Sequence, residues 1–170
     1  PTAAEVRFAL FGAEENGLRG SRHYVSQMSS EDIERTVAMF QLDMIGARDA
    51  GHLTMFTLDG QTNTVTDLAA SASSRVSLNE IPQYSQLGRS DHVPFHDAGI
   101  PAALFIHTPL EPWYHTSEDT IDKVSPEKVL DVTQIVGAAL FNGARKDTPA
   151  LHRSAVRPVP VDYYYEDPHL

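Results

Sequence analysis

Two adjacent carboxylates follow an apolar segment near the start of the chain. Val6 to Phe11 is apolar and β-prone, and Glu14 and Glu15 come shortly after it. In open α/β sheets, ligands lie outside the carboxyl ends of the strands. Neighbouring side chains point in different directions, so one acid can bind a metal ion while the other takes a proton from water, as in a zinc hydrolase. The pair alone is weak evidence, because loop carboxylates are usually just solvated.

Two more metal-binding side chains follow segments that read as buried strands. Thr36 to Leu42 is mainly apolar and is followed by Asp43, and Ile100 to Ile106 leads into a loop that contains His115. The carboxylates of Glu15 and Asp43 and the neutral imidazole of His115 form the mixed oxygen and nitrogen set that catalytic zinc uses. The ligands are far apart in sequence, so their spacing alone does not establish the site.

Four blocks occur in order along the chain: Phe11-Gly12-Ala13-Glu14-Glu15-Asn16-Gly17-Leu18-Arg19-Gly20-Ser21, Leu42-Asp43-Met44-Ile45-Gly46, Gly88-Arg89-Ser90-Asp91-His92-Val93-Pro94-Phe95 and Pro112-Trp113-Tyr114-His115-Thr116. Their order and spacing resemble those of the secreted double-zinc aminopeptidases. The segment Thr57-Leu58-Asp59-Gly60-Gln61 looks most like the bacterial leucine-aminopeptidase type with a protease-associated domain. That family belongs to the same clan as the glutamate carboxypeptidases and glutaminyl cyclases. The resemblance runs from the amino terminus to about Lys146.

The resemblance implies roles for five residues. Glu14 would be the general base, Glu15 and His115 would bind one zinc ion, and Asp43 would bind the other. Tyr114 matches the family tyrosine whose hydroxyl stabilises the oxyanion of the tetrahedral intermediate. The implied enzyme is secreted, and it removes amino-terminal, commonly apolar residues from peptides.

The sequence also departs from the family pattern. The family has a histidine in a His-x-Asp motif and a bridging aspartate upstream of the two glutamates, and Pro1 to Glu5 contains neither residue type. Catalytic zinc usually has three protein ligands, so we expect zinc to be partial or absent when this chain is alone. The chain is therefore expected to be the carboxyl-terminal part of a catalytic domain, and to associate with a separate amino-terminal half or with itself.

Three alternatives remain open from the sequence. A glutaminyl cyclase shares the Glu-Glu, Asp and His pattern but uses one zinc ion to cyclise an amino-terminal glutamine, and carboxypeptidase relatives share the fold. The third alternative belongs to a different class, a non-catalytic partial domain that serves as a structural or association module. The Pro-Trp-Tyr-His-Thr block and the Leu-Asp-Met-Ile-Gly strand favour the aminopeptidases.

Composition narrows the classes of partner. The chain has 170 residues, 41% of them hydrophobic, and a formal net charge of -10. The net negative charge argues against binding to nucleic acid phosphates or to anionic membranes, and no apolar stretch approaches the ~20 residues of a membrane span. Because the chain has no cysteine, disulfides and thiolate metal sites are excluded.

The order of apolar segments predicts a three-layer α/β/α sandwich with a mixed, largely parallel sheet. Apolar spacing predicts helices at Gly17 to Met28 and Thr62 to Val76, and a third that is capped by Ser125 and closed by Lys146. Residues 1–147 would form the catalytic part. Residues 148–170, with four prolines from Pro149 onward and a tyrosine cluster at 163–165, would form an extended surface tail.

The block Ser90-Asp91-His92 supports two interpretations. Ser90 is a typical helix amino-terminal cap, with His92 then on the surface. Alternatively, Asp91 or His92 supports the zinc site by hydrogen bonding from behind the ligands. His96 and His107 are expected to be structural.

Overall fold

The computed structural model describes residues 3–76, 82–147 and 153–159. These ranges contain four strands and five α-helices, with one short 3-10 helix, Ile121–Lys123, before the last α-helix. In chain order the elements are α1 (Arg19–Ser26), α2 (Ser30–Arg35), β1 (Met39–Leu42), β2 (His52–Thr57), α3 (Thr64–Val76), β3 (Gln83–Gln86), α4 (His92–Asp97), β4 (Ala102–Thr108) and α5 (Pro126–Ala144).

The strands form one sheet in the order β1-β4-β2-β3. β1 pairs with β4 and β2 pairs with β3 in parallel, whereas the central pair β2 and β4 is antiparallel. β4 is buried along nearly its whole length, which explains its unbroken apolar sequence, because a central strand covered on both faces has no solvent side. The mixed sheet that the sequence predicts is confirmed.

Helices cover both faces of the sheet. Alternate residues of a strand point to opposite faces, so Ala103 and Phe105 of β4 pack with α3 and α5, while Ala102 packs with Phe95 of α4 and side chains of α1 and α2. The apolar stripes predicted for α3 and α5 contribute Val65 and Ala69, and Val132, Ile135 and Val136, to the first of these layers. The predicted three-layer sandwich is confirmed.

The sequence predicts the ends of the longest helix well. The hydroxyl of Ser125 accepts a hydrogen bond from the Lys128 backbone N–H at 3.3 Å, and Pro126 occupies the first turn, where its missing N–H costs nothing. The helix ends at Ala144, two residues before Lys146. The predicted Ser125 cap at its amino terminus is confirmed by the hydrogen bond to Lys128.

The predicted first strand, Val6 to Phe11, is wrong. Within the described ranges, residues 5–11 make no backbone hydrogen bond to any strand, and the side chains of Phe8 and Leu10 are 91% and 103% exposed. Backbone groups alone do not define a strand, since the ladder needs a neighbour. The segment is attached by contacts other than a ladder: Ala3 donates to the Ala144 carbonyl, Arg7 lies 3.8 Å from Asp32, and the Phe11 ring packs on Tyr24.

Other boundaries also differ from the sequence prediction. The first helix begins at Arg19 because Leu18 has a left-handed backbone conformation, with φ of 58°, and it ends at Ser26. β1 begins at Met39 and not at Thr36, because an unpredicted helix, α2, occupies the residues before it and is capped by Ser29. β3 was missed as well, since its sequence is polar and it lies at the edge of the sheet.

Residues 153–159 of the predicted tail lie outside helices and strands and contact the body of the molecule. The guanidinium of Arg153 donates to the carbonyls of Ile33, Glu34 and Gly99. The Arg157 carbonyl lies 2.7 Å from His96 Nε2. The tyrosine cluster at 163–165 falls outside the described residues.

Candidate metal and catalytic site

The two glutamates lie in a tight turn between the extended amino-terminal segment and α1. The Glu14 carbonyl accepts hydrogen bonds from the backbone of Gly17 at 3.1 Å and Leu18 at 2.9 Å. Ala13 has φ of 57°, a conformation that is energetically unfavourable for a residue with a side chain. Gly20 must lack a side chain, because a Cβ there would be 2.6 Å from the Gly12 carbonyl oxygen.

His115 meets Glu15 directly. The imidazole Nε2 of His115 lies 2.7 Å from Glu15 Oε1, although the residues are 100 positions apart. Both side chains are open to solvent, with 54% and 68% of their surfaces exposed. His115 has φ of 58° and its ring stacks on Tyr114, with centroids 3.8 Å apart. The loop after β4 is therefore shaped to present this imidazole to the glutamate turn.

Asp43 follows the last residue of β1, at the carboxyl end of the sheet. Its backbone N–H still donates to the Phe105 carbonyl of β4 at 3.2 Å, and Met44 then leaves the strand with φ of 50°. Asp43 Oδ2 accepts a hydrogen bond from the Ser90 hydroxyl at 3.2 Å. The two parallel strands β1 and β4 thus deliver Asp43 and the loop of His115 to the same edge, as expected for ligands in an open α/β sheet.

The acidic side chains influence each other's protonation. Burial raises the pKa of Glu14 more than its hydrogen bond with Ser90 lowers it, and the charges of Glu15, Asp43 and Asp91 raise it further. Burial also raises the pKa of Asp43, with smaller contributions from Asp91 and Glu15. A bound cation would reduce this repulsion among neighbouring carboxylates.

The phenol of Tyr114 belongs to the same electrostatic group. Burial raises its pKa, and the charges of Glu15, Glu14 and Asp43 raise it further. The phenol therefore keeps its proton at neutral pH and remains a hydrogen-bond donor.

The donors fit zinc in kind but not in number. A carboxylate and an imidazole in direct contact are zinc ligands. However, no group of three or more His, Cys, Asp or Glu side chains in residues 3–76, 82–147 and 153–159 is arranged to hold a metal ion. The described part of the chain brings Glu15 and His115 together and leaves Asp43 in a separate contact with Ser90.

The block Ser90-Asp91-His92 differs from both sequence interpretations. Ser90 is not a cap, because the cap position of α4 falls on Asp91, whose side chain makes no capping bond. Asp91 instead accepts a hydrogen bond from the Ser21 hydroxyl at 2.5 Å. His92 is fully buried and not on the surface, with Nε2 2.9 Å from the Leu87 carbonyl. The hydroxyl that reaches the acids is that of Ser90.

Sequence reasoning missed the two partners that hold this block, Ser21 and Gln41. Both are buried, and Gln41 contacts Ser90 and His92. The only sequence signal was a glutamine within an otherwise apolar strand. His96 and His107 are buried in α4 and β4, as expected for structural histidines.

An α/β/α sandwich with Asp43 and the loop of His115 beyond the carboxyl ends of parallel strands is an architecture in which hydrolases hold metal ions. The model of peptidase family M28 matches residues 1–140. This chain belongs to peptidase family M28.

Similar proteins agree with this assignment. Aminopeptidase YwaD of Bacillus subtilis is 41% identical over 154 residues, which are 86% of this chain and 34% of YwaD. The structure of an aminopeptidase from Aneurinibacillus sp. strain AM-1 is 55% identical with a TM-score of 0.78, covering 88% of this chain and 35% of that one. The structure of BSAP, a zinc aminopeptidase from Bacillus subtilis, is 41% identical with a TM-score of 0.82, covering 88% and 38%.

The chain therefore spans 34% of the length of YwaD and a similar share of the two aminopeptidase structures. A glutaminyl cyclase structure from an Acidobacteriales bacterium shares the fold, with a TM-score of 0.61 at 22% identity over 72% of this chain and 44% of that one. A probable lipoprotein aminopeptidase, LpqL of Mycobacterium tuberculosis, is 27% identical over 70% of this chain and 30% of its own length. Among the described residues, no helix is long and apolar enough to cross a membrane.

Proposed function

We propose that this chain supplies part of the catalytic centre of a zinc aminopeptidase that removes apolar amino-terminal residues from peptides. The observation that carries the proposal is the 2.7 Å contact between Glu15 and His115, beside Glu14 and Tyr114 in the same electrostatic group. Similarity to YwaD and to BSAP supports the reaction class. Glu15 and His115 would bind one zinc ion, and Asp43 would bind a second.

Each catalytic side chain has one task in this proposal. Glu14 takes a proton from the attacking water molecule and passes it to the leaving amine, for which a raised pKa suits a carboxylate. Tyr114, whose phenol stays protonated, donates a hydrogen bond to the oxyanion that develops on the scissile carbonyl. Zinc, when bound, polarises the carbonyl and lowers the pKa of water to about 7.

The remaining ligands would come from polypeptide beyond the described residues, either in another segment or in a second chain. Catalytic zinc usually has three protein ligands, and the described ranges bring only Glu15 and His115 into direct contact. We therefore propose that full activity requires this complement. We also propose that the complete enzyme acts outside the cytoplasm, as the name of the relative LpqL suggests.

Zinc content and hydrolysis measured together test the proposal. The purified chain is dialysed, its zinc is measured by elemental analysis, and its hydrolysis of an amino-terminal leucine chromogenic substrate is recorded. Glu15→Gln should lower the zinc content, because a neutral amide is a poorer ligand. The matched control is Glu118→Gln, which removes the same charge from an exposed residue in the loop that follows His115.

Each outcome has a distinct meaning. Zinc that is lost in Glu15→Gln and kept in Glu118→Gln supports the proposed site, and turnover with it supports the reaction. Zinc without turnover supports a partial centre that needs its complement. No zinc and no turnover even when the complementary polypeptide is added would reject the zinc site and leave a non-catalytic module. Turnover confined to amino-terminal glutamine would identify a cyclase instead.

A further inference from the structure

Gln41 is a buried polar side chain in β1 that the proposed reaction does not use. Only 7% of its surface is exposed. It lies two residues before Asp43, and residues two apart along an extended chain point to the same face. Its side chain contacts the block Ser90-Asp91-His92 at two points, the Ser90 hydroxyl and the His92 backbone.

The orientation of the Gln41 amide is fixed by its partners. The His92 backbone N–H can only donate, and it lies 2.6 Å from Gln41 Oε1, so that atom must be the oxygen. The amide nitrogen of Gln41 then faces Ser90 Oγ and donates to it. A flipped amide would place two donors against each other at His92.

The His92 ring does not fix this orientation, which rests on the backbone N–H of the same residue. Its Nε2 lies 2.9 Å from the Leu87 carbonyl and must carry the proton there, because the carbonyl can only accept. Burial lowers the pKa of His92 to about 4, so the ring is neutral near pH 7. Its other nitrogen, 3.3 Å from Gln41 Oε1, therefore carries no proton and does not compete for the Gln41 oxygen.

The donated hydrogen bond determines where the Ser90 hydroxyl points. Because Ser90 Oγ accepts from Gln41, its own hydrogen is free for the acids, and it reaches Asp43 Oδ2 at 3.2 Å. Glu14 is within hydrogen-bond reach of the same hydroxyl, so the two carboxylates share its one hydrogen. The Ser90 backbone has φ of 89°, a conformation that a residue with a side chain rarely adopts. Gln41 holds this backbone at two points, the Ser90 hydroxyl and the His92 backbone N–H.

We propose that Gln41 is a positioning residue, which holds the strained turn at Ser90 so that one hydroxyl spans the proposed base Glu14 and the proposed ligand Asp43. The inference rests on the proposed function for the roles of these two acids. It assigns a second task to β1, which leads into Asp43 and carries the side chain that orients the partner of Asp43.

Two substitutions separate the two hydrogen bonds of Gln41. Gln41→Met keeps the length of the side chain and removes both bonds. Gln41→Glu, in its ionised form, keeps the acceptor for the His92 N–H and removes the donor to Ser90, and it adds a negative charge. The matched control is Gln86→Met, because Gln86 donates to the Leu58 carbonyl at 2.9 Å from β3, at the opposite edge of the sheet.

Three measurements are made on the full chain: a crystal structure without metal, amide hydrogen exchange, and zinc affinity by titration calorimetry. In Gln41→Met we expect Ser90 Oγ to leave Asp43, the His92 amide to exchange faster, and zinc affinity to fall about tenfold, a typical effect of groups that support ligands. In Gln41→Glu the His92 amide should stay protected while Ser90 turns from Asp43 to the new carboxylate. Gln86→Met should change none of these.

The results distinguish this inference from the proposed function. If the unsubstituted chain binds no zinc, the zinc site is incomplete in this chain alone, and the position of Ser90 in the metal-free crystals still decides the role of Gln41. A Ser90 to Asp43 hydrogen bond that persists in Gln41→Met overturns the inference. If Gln41→Met does not fold, the same bond persisting in Gln41→Glu overturns it. Unchanged zinc affinity after loss of the bond would reduce Gln41 to a structural residue.

Discussion

Glu14 and Glu15 are neighbours with different surroundings. Glu14 is half-buried and its pKa is raised by burial, whereas Glu15 is exposed and contacts His115. Enzymes give chemically identical carboxylates different tasks by placing them in different environments. At the scale of single residues, this difference supports the proposal that Glu14 transfers the proton and Glu15 binds the metal.

Substitution of Glu14 tests this division. Glu14→Gln preserves size but cannot accept a proton, so turnover by the complete enzyme should fall by about 10²-fold or more. Bound zinc should stay unchanged, because Glu14 is not a proposed ligand. Substrate hydrolysis and elemental analysis on the same sample provide both values. Loss of zinc together with activity would instead place Glu14 among the ligands.

His92 should make the fold sensitive to acid. Its pKa is about 4 in the folded chain and ~6.5 when unfolded, so the unfolded state binds the proton more readily. Stability is therefore complete above pH 6.5, declines as the pH falls towards 4, and changes no further below that, with a total loss of about 3 kcal/mol. Urea unfolding at several pH values measures this dependence.

The variants His92→Gln and His23→Gln isolate that contribution. His92→Gln should weaken the dependence on pH between 6.5 and 4, whereas His23→Gln, at an exposed position of α1, should leave it unchanged. The comparison is needed because Glu14 and Asp43 also titrate in acid. Equal curves for His92→Gln and the unsubstituted chain would refute the prediction.

At the scale of elements, α5 holds the loop that connects β1 to β2. The ammonium of Lys128, in its first turns, donates to the carbonyls of Ala47, Ala50 and Gly51 at 3.0, 2.6 and 3.2 Å. Gly51 packs so closely on β4 that a Cβ would be 2.1 Å from the Thr108 carbonyl oxygen. This loop begins just after Asp43, so its anchoring also fixes the end of β1.

Removal of the Lys128 ammonium should destabilise the fold. Lys128→Met keeps the aliphatic contacts but leaves three partly buried carbonyls without this donor, which should cost about 1–3 kcal/mol of unfolding free energy. Lys146→Met, at an exposed position after α5, should cost much less. Chemical denaturation of both variants measures the difference. Equal losses would mean that the carbonyls are satisfied by water.

At the scale of the whole molecule, one region of the described chain is left without the packing that its sequence implies. Residues 5–11 form no ladder, and Phe8 and Leu10 are almost fully exposed. β1 is an edge strand, paired only with β4 in the described ranges. Unpaired edges and exposed apolar side chains favour association with another chain.

We therefore predict that the isolated chain associates with itself or with a complementary chain. The double substitution Phe8→Ser and Leu10→Ser should reduce association, because it removes apolar surface from this segment. Ile121→Ser, at another exposed apolar side chain, is the control and should have little effect. Light scattering over a wide concentration range measures the outcome. Monomeric behaviour at every concentration would contradict the prediction.

Much of this arrangement follows from sequence patterns that act locally. The apolar run in β4, the apolar stripes of α3 and α5 and the Ser125 cap are set by residues close together in the chain, and the structure contains each of them. The order of the motifs also identifies the family, which the match over residues 1–140 supports. These features could be predicted because burial periodicity and capping depend on neighbours in sequence.

Tertiary structure decided what depends on distant partners. Val6 to Phe11 has the composition of a strand but does not form one. A ladder requires a neighbouring strand, and the described residues do not provide it. Ser90 looks like a cap, yet its hydroxyl is directed by Gln41, 49 residues away. The contact of Glu15 with His115 spans 100 residues. The sequence by itself determined which side chains are available, and only folding determined which of them meet, because local patterns do not encode long-range pairing.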